Sequence, residues 1–250
     1  MRVFDLIVDE RRHAADLFAS LTDDQLSRPS LCDAWSMHEV GAHLTTFLRF
    51  GQAKLYLGIL ATAADIDRLN LWLTRRAAQR PIDEIVKILR ERADARTTIP
   101  RSGYDPVLTD LVLHDLDVRR PLGISRRPRE EALWVAFNHL TKQPSPGFTM
   151  GSRLRDLRLV ATDTGWTHGL GRLVRGNAED LLLAIGGRTV GLDALDGDGV
   201  PVLRRRLTTP AKATPVRRLA AVLGVLVHPQ PPERRSRQAI GRPRPGPEAS

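Results

Sequence analysis

Residues 105–123 read DPVLTDLVLHDLDVRRPLG. Asp105 suits a helix N-cap and Pro106 a first helical position, while Pro121-Leu122-Gly123 marks the stop. Within that helix Asp110 and His114 stand four residues apart. This is one turn plus about 40°, so both side chains leave the same face. A second apolar stretch, EVGAHLTTFL at 39–48, carries His43. A carboxylate–histidine pair one turn apart, joined by a histidine from a second helix, can hold a divalent metal by three protein ligands. It leaves one coordination position for chemistry.

Outward from this pair, the first half of the chain reads as helical throughout. Val3, Leu6, Ile7, Ala14, Leu17 and Phe18 keep helical spacing and predict a helix over 4–20, with Asp9, Glu10, Arg11 and Arg12 facing out. A polar break at 22–35, TDDQLSRPSLCDAW, ends it. Ser36 and Glu39 form a capping box and open the helix of His43, which the pattern carries to about residue 60. Residues 65–79 and 82–97 predict two further helices, split at Pro81 in a first-turn position. Another covers 128–141. Residues 1–142 are expected to form an up-and-down helical bundle.

The pattern changes after KQPSPGFTMGS, a linker by composition whose core is 143–152. LRLVAT at 157–162 alternates as a strand does, and the turn DTG follows. WTHGLGRLVRG at 166–176 is expected to supply one or two more strands. Asn177 caps AEDLLLAI, a helix closed by Gly186-Gly187. LDAL, the loop DGDG and VPVLRRRL complete a small α+β domain over 153–206. Residues 207–250 are rich in Pro and Arg around one apolar island, RRLAAVLGVLV, and such a composition predicts disorder.

The formal net charge of +9 belongs to one end of the chain. Residues 204–250 hold 11 Lys+Arg against 2 Asp+Glu, which leaves residues 1–203 neutral. An argument for nucleic acid from charge therefore reaches only the basic tail, which lacks interleaved aromatics and an ordered basic helix face. No run of about eighteen apolar residues predicts a membrane span, and MRVFDLIVDERR does not resemble a signal peptide. The one cysteine, Cys32, fits a reducing cytoplasmic setting.

Three stretches, RPSLCDAWSMHEVGAHL (28–44), DLVLHDLDVRRPLG (110–123) and LRLVATDTGWTHGLGRLVRGNAEDLLLAIGGR…LDGDGVPVLRRRL (157–207), together resemble the mycothiol-dependent maleylpyruvate isomerase family of actinobacteria. The helical half resembles the wider DinB-like metal-binding bundles. The resemblance spans about residues 3–206. It implies an α plus α+β fold: a DinB-like bundle, then a small α+β domain. It also implies a divalent metal, zinc first, on His43, Asp110 and His114, with mycothiol as thiol cosubstrate. The isomerase pattern has Glu at the first position of the carboxylate–histidine pair; here Asp110 is one methylene shorter.

What the resemblance implies for chemistry is an isomerase or a thiol transferase. A thiol at the open position of such an ion loses its proton more readily and becomes the reactive thiolate. Addition to an electron-poor double bond, rotation and elimination would convert cis to trans; attack on another small electrophile would be transfer. The other class of reading is a metal-binding regulatory or interaction protein without turnover, with its basic tail on nucleic acid. A monomer or a homodimer is expected.

The neighbours of the three ligands have plainer readings. Asp117, three residues past His114, either orients a ring nitrogen of His114 or His43, serves as a fourth ligand, or is merely solvated. Arg119 and Arg120 suit a helix C-terminus as well as an anion. His38, about 140° around the helix from His43, is expected at the surface, as is His13 among its charges. His139 and His168 are candidates for the junction with the α+β part. Cys32 reads as a small packed residue, Trp35 as the apolar anchor before the next helix, and DGDG at 196–199 as a turn without a calcium-loop frame.

Overall fold

The computed structural model describes residues 2–32, 35–49, 66–98, 103–142 and 151–209. The described residues belong to one compact unit, and residues 212–250 lie outside both it and the described residues. The elements begin with α1 (Val3–Ser20), α2 (Asp23–Ser27), α3 (Met37–Arg49), α4 (Ile66–Ala77), α5 (Ile82–Glu91), α6 (Asp105–Leu122) and α7 (Glu130–Lys142). A 3-10 turn at Gly151–Leu154 leads into β1 (Leu157–Ala161), β2 (Thr167–His168) and β3 (Arg172–Gly176). Then come α8 (Ala178–Ile185), a second 3-10 turn (Thr189–Ala194) and α9 (Val200–Thr208). A helical half followed by a small α+β part is the fold class the sequence implies.

Local chemistry sets most element ends. The backbone N–H of Ser36 donates to Glu39 Oε2 at 2.8 Å, and that of Glu39 to Ser36 Oγ at 3.2 Å, so the capping box that opens α3 is in place. Asn177 accepts the Asp180 N–H at 2.9 Å and caps α8. Gly123 closes α6 in the left-handed conformation at φ 65°, where a side chain would be strained. Two starts differ from expectation by one residue. Tyr104, not Asp105, is the N-cap of α6, so Asp105 and Pro106 are its first two residues. There the Asp105 charge acts on the helix dipole rather than on a free N–H. Pro81 is the N-cap of α5 rather than a residue of its first turn. The continuation of α3 towards residue 60, the linker at 143–150 and the tail from 210 lie outside the described residues.

Two apolar cores divide the helices. One joins Ala14, Leu17 and Phe18 of α1 to Met37, Val40 and Leu48 of α3 and Ile85, Val86 and Leu89 of α5. Here α1 and α3 approach closely at Gly41. A Cβ at that position would stand 3.1 Å from the Phe18 ring. The other core joins Leu6 and Ile7 of α1 to Leu108, Val112, Leu113 and Leu116 of α6 and Phe137 and Leu140 of α7. It continues into Leu157, Leu159 and Val174 of the sheet and Leu181–Ile185 of α8. Each such side chain taken fully from water contributes about 1.5–3 kcal/mol. The α6 helix belongs to both cores, since Val118 faces the first.

The sheet has the order β2-β1-β3. β1 is antiparallel to β2 (Leu159 opposite His168) and parallel to β3 (Leu159 opposite Val174). Leu157, Leu159 and Ala161 alternate inward and bury one face. Trp166 fixes this sheet to α7. It stacks on Phe137 with ring centroids 4.3 Å apart and donates from Nε1 to Asn138 Oδ1 at 3.3 Å.

Charged groups tie α8 to α6. Arg119 is fully buried, donating from Nε to Asp115 at 2.6 Å and from Nη2 to Glu179 at 2.9 Å. Arg120 donates to Asp180. Both arginines thus hold the first turn of α8, beyond any dipole role at their own helix end. His13 is half-buried, its Nε2 3.4 Å from Asp115 Oδ1, because α6 covers its face of α1. His38 is half-buried as well, its Nε2 2.9 Å from the Arg80 carbonyl. Both are expected at the surface, His13 from the charges around it and His38 from its angle to His43; neither signal says which neighbour covers a face. In the DGDG turn, Asp196 pairs with Arg175 and Asp198 accepts the Leu173 N–H.

Candidate metal centre

The face of α6 that carries Asp110 and His114 meets α3 at His43. Asp110 lies between the two rings: Oδ2 is 3.3 Å from His43 Nε2, and Oδ1 is 3.4 Å from His114 Nε2. One ligand atom from each residue falls within 4.8 Å of the other two. Both imidazoles are buried, whereas the Asp110 side chain keeps 27% of its surface, so the cluster opens on the carboxylate side. Asp110 reaches both rings despite its short arm.

The opposite nitrogen of each ring is engaged. His114 Nδ1 lies 2.9 Å from Asp117 Oδ2. A carboxylate only accepts, so Nδ1 carries a proton; Nε2 faces a second carboxylate, Asp110, and its lone pair becomes available to an ion once that nitrogen gives up its own proton. Asp117 is fully buried and is clamped in turn by Arg188, Nε to Oδ1 at 2.9 Å and Nη2 to Oδ2 at 2.6 Å. His43 Nδ1 lies 3.2 Å from the hydroxyl of Thr74 on α4. Thr46 Oγ1 donates to the carbonyl of His43 at 2.8 Å and steadies its backbone.

Burial alone would raise the Asp110 carboxyl, but the two histidines outweigh it and hold it far below the usual carboxylate range. Burial alone would lower His114, but Asp110 and Asp117 outweigh it and raise the ring to about 9. Burial also opposes ionisation of Asp117, and His114 and Arg188 together bring it below its ordinary value. The centre is therefore an anionic carboxylate between two imidazoles, with a protonated ring standing where a cation would.

This donor set fits a divalent ion of the zinc type. Bonds of about 2.0–2.2 Å in tetrahedral geometry separate neighbouring ligand atoms by about 3.3–3.6 Å. The two carboxylate–imidazole distances, 3.3 Å from Oδ2 and 3.4 Å from Oδ1, are of that size, each from a different carboxylate oxygen, so the carboxylate must turn for one oxygen to share an ion with both rings. Two neutral nitrogens and one carboxylate suit zinc and its borderline neighbours and leave a position open.

Several groups of the site had no signal in the sequence. Trp35, read as an anchor, has its ring 4.5 Å from that of His43 and 5.5 Å from that of His114, so it walls the cluster. Phe47 meets His43 edge-on at 6.5 Å. Thr74 and Arg188 were not singled out at all. The one hint for Arg188 is its place directly after the helix-ending glycines, where the chain turns back towards α6. Cys32 is half-buried and close enough to Arg188 to interact with it electrostatically. His139 is buried on α7, where desolvation lowers its pKa below the ordinary value. His168 stacks on Trp166 at 5.9 Å. Neither belongs to the cluster of His43, Asp110 and His114.

Comparison with known proteins agrees with this fold. Two solved structures superpose on the chain. One is a crystal structure of the mycothiol-dependent maleylpyruvate isomerase: 13% identity, TM-score 0.53, 78% of this chain and 91% of that one covered. The other is a histidine-to-alanine variant of that isomerase: 12% identity, TM-score 0.54, with the same coverage. No curated protein matches the chain in sequence. The sequence profile of the mycothiol maleylpyruvate isomerase N-terminal domain matches residues 7–159, more than half of the chain, and the protein belongs to that family.

Proposed function

We propose that the protein is a metal-dependent enzyme that uses a low-molecular-weight thiol, mycothiol, to isomerise a small electrophilic substrate from cis to trans or to transfer the thiol to it. The observation that carries this reading is the convergence of His43, Asp110 and His114 with both outer ring nitrogens engaged. Family membership supplies the thiol and the class of substrate.

A zinc-type ion held by these three residues would deprotonate a thiol at its open position. The protein's own part is to hold and shield. Asp110 supplies the one negative ligand and stays ionised at any working pH. Asp117 fixes the tautomer of His114, and Arg188 keeps Asp117 charged and in place. Trp35 and Phe47 close the imidazole side to water, so the approach left to a thiol and an electrophile is past Asp110. A reducing compartment, where such thiols reside, accords with a chain holding one cysteine.

Elemental analysis should find about one divalent ion per chain, as a three-ligand site with an open position requires. Turnover of maleylpyruvate and of other small electrophiles is then measured with and without mycothiol. Turnover that needs both metal and thiol supports the reading, and His114→Ala should lose metal and activity together. Absence of metal after dialysis against zinc, or turnover indifferent to thiol, overturns it.

A further inference from the structure

The two histidines of the cluster are not held alike. His114 Nδ1 faces a buried carboxylate, which leaves it one tautomer. His43 Nδ1 faces a hydroxyl, which both donates and accepts. With Thr74 donating, the proton of His43 stands on Nε2, where it reaches Asp110 Oδ2 at 3.3 Å. With Thr74 accepting, the proton moves to Nδ1 and the Nε2 lone pair is free for a ligand bond. Only the second arrangement makes His43 a metal ligand.

The behaviour of the other buried threonines singles Thr74 out. Thr45 and Thr46 of α3 donate back to carbonyls three residues earlier, Ala42 at 2.7 Å and His43 at 2.8 Å. Thr109 of α6 donates to the Asp105 carbonyl four residues earlier at 2.8 Å. That is the usual fate of a hydroxyl inside a helix. Thr74 is just as buried, yet its hydroxyl pairs with a ring 31 residues away on another helix. The neighbouring side chains of α4 do ordinary work: Leu73 and Ala77 are buried, and Trp72 is 57% exposed beneath Arg76.

From this we infer that Thr74 is a positioning residue for the metal centre, one that orients the His43 ring and accepts a hydrogen bond from Nδ1–H when Nε2 binds the ion. The inference rests on the reading of His43, Asp110 and His114 as metal ligands. Loss of a group that orients a ligating imidazole lowers metal affinity by about 10- to 100-fold.

The test is metal affinity in the full chain, by zinc competition against a chromophoric chelator, for the parent protein, Thr74→Val and Thr74→Ser. Val keeps the shape and removes the acceptor; Ser keeps the acceptor. Nitrogen-15 NMR of His43 in the zinc-loaded parent and variants reports which ring nitrogen carries the proton. The expected result is a proton on Nδ1 in the parent, a loss of about 10- to 100-fold in affinity for Thr74→Val, and recovery to within about threefold in Thr74→Ser. Equal affinity of Thr74→Val and the parent overturns the inference and leaves the metal centre standing. So does a Thr74→Ser variant as weak as Thr74→Val. A parent chain that binds no zinc overturns the reading of the centre itself, and this inference with it. Thermal melts of the metal-free variants separate a fold defect from an affinity defect; a variant with the parent's melting temperature and weaker binding supports the positioning role.

Discussion

Asp117 and Arg188 form a two-point ion pair beneath the ring of His114, with contacts of 2.9 and 2.6 Å. Asp117 is fully buried and Arg188 keeps 13% of its side-chain surface. Such a pair joins α6 to the chain that leaves α8, so the small α+β part supports the metal face of the bundle. Arg188→Met keeps much of the volume and removes the charge, leaving the buried Asp117 carboxylate with His114 alone as its side-chain partner. Breaking a buried pair from one side costs about 3–5 kcal/mol. At about 2–4 °C per kcal/mol for a chain of this size, the melting temperature should fall by roughly 6–20 °C. A fall of less than about 2 °C in calorimetry would mean that desolvation already cancels the pair.

Asp110→Glu tests the shorter ligand arm. Asp110 stands on the open side of the cluster, where a further methylene has room to fold. The expected outcome in a zinc titration is affinity equal to the parent's or higher. Asp110→Asn, which keeps the shape and removes the charge, should bind far more weakly. A large loss in Asp110→Glu would show that the spacing of α3 and α6 is set for aspartate.

The pH dependence of the metal-free chain has a definite sign on both sides. His114 is raised to about 9, so its contribution is complete below its unfolded value of about 6.5 and is lost as pH climbs through about 9. Burial opposes ionisation of Asp110, Asp115 and Asp117, but their partners bring all three below the ordinary value. Their contribution is complete above about 4 and is lost as pH falls below it. Denaturant melts in the presence of a chelator should therefore show greatest stability between about pH 4 and 6.5. Zinc competes with the His114 proton, so affinity should rise from about pH 6.5 to 9. Stability that stays level from pH 6.5 to 9 would count against a protonated His114.

Truncation tests the tail. Cutting at 207 would damage α9, because Leu207 packs against the core, Thr208 is the helix's last residue and the Thr209 N–H caps it on the Arg205 carbonyl. The cut belongs after Thr209. Residues 210–250 hold 8 of the 17 prolines and 8 Lys+Arg against two Glu, a composition that cannot bury enough surface to offset ordering. The truncated chain should melt within about 2 °C of the full chain and bind zinc equally. A drop of many degrees would place the apolar island 217–227 in the core. Loss of nucleic-acid binding in a low-salt shift assay would favour the regulatory reading.

What could be read in the sequence was local. The capping box of Ser36 and Glu39, the Asn177 cap and the Gly123 stop depend on residues three or four apart, and each appears where its spacing puts it. The pairing of Asp110 with His114 is of the same kind, since one helical turn places both on one face. His43 entered through family resemblance, because spacing alone cannot say which helix will face α6.

Apart from Asp117, which lies three residues from His114 on the same helix, the groups that orient those ligands came from tertiary structure. Thr74 reaches His43 across 31 residues and Arg188 reaches Asp117 across 71, separations over which no periodicity carries a signal. Trp35 reads as an anchor by position but serves as a wall, because α3 and α6 converge on its ring. His13 and His38 read as exposed and are half-buried, the first against Asp115 of α6 and the second against the Arg80 carbonyl between α4 and α5. The chain by itself determined the helices, their caps and the ligand pair on one face. Packing decided which rings meet, which nitrogen each presents and which side of the cluster stays open, because those depend on contacts between segments far apart in the chain.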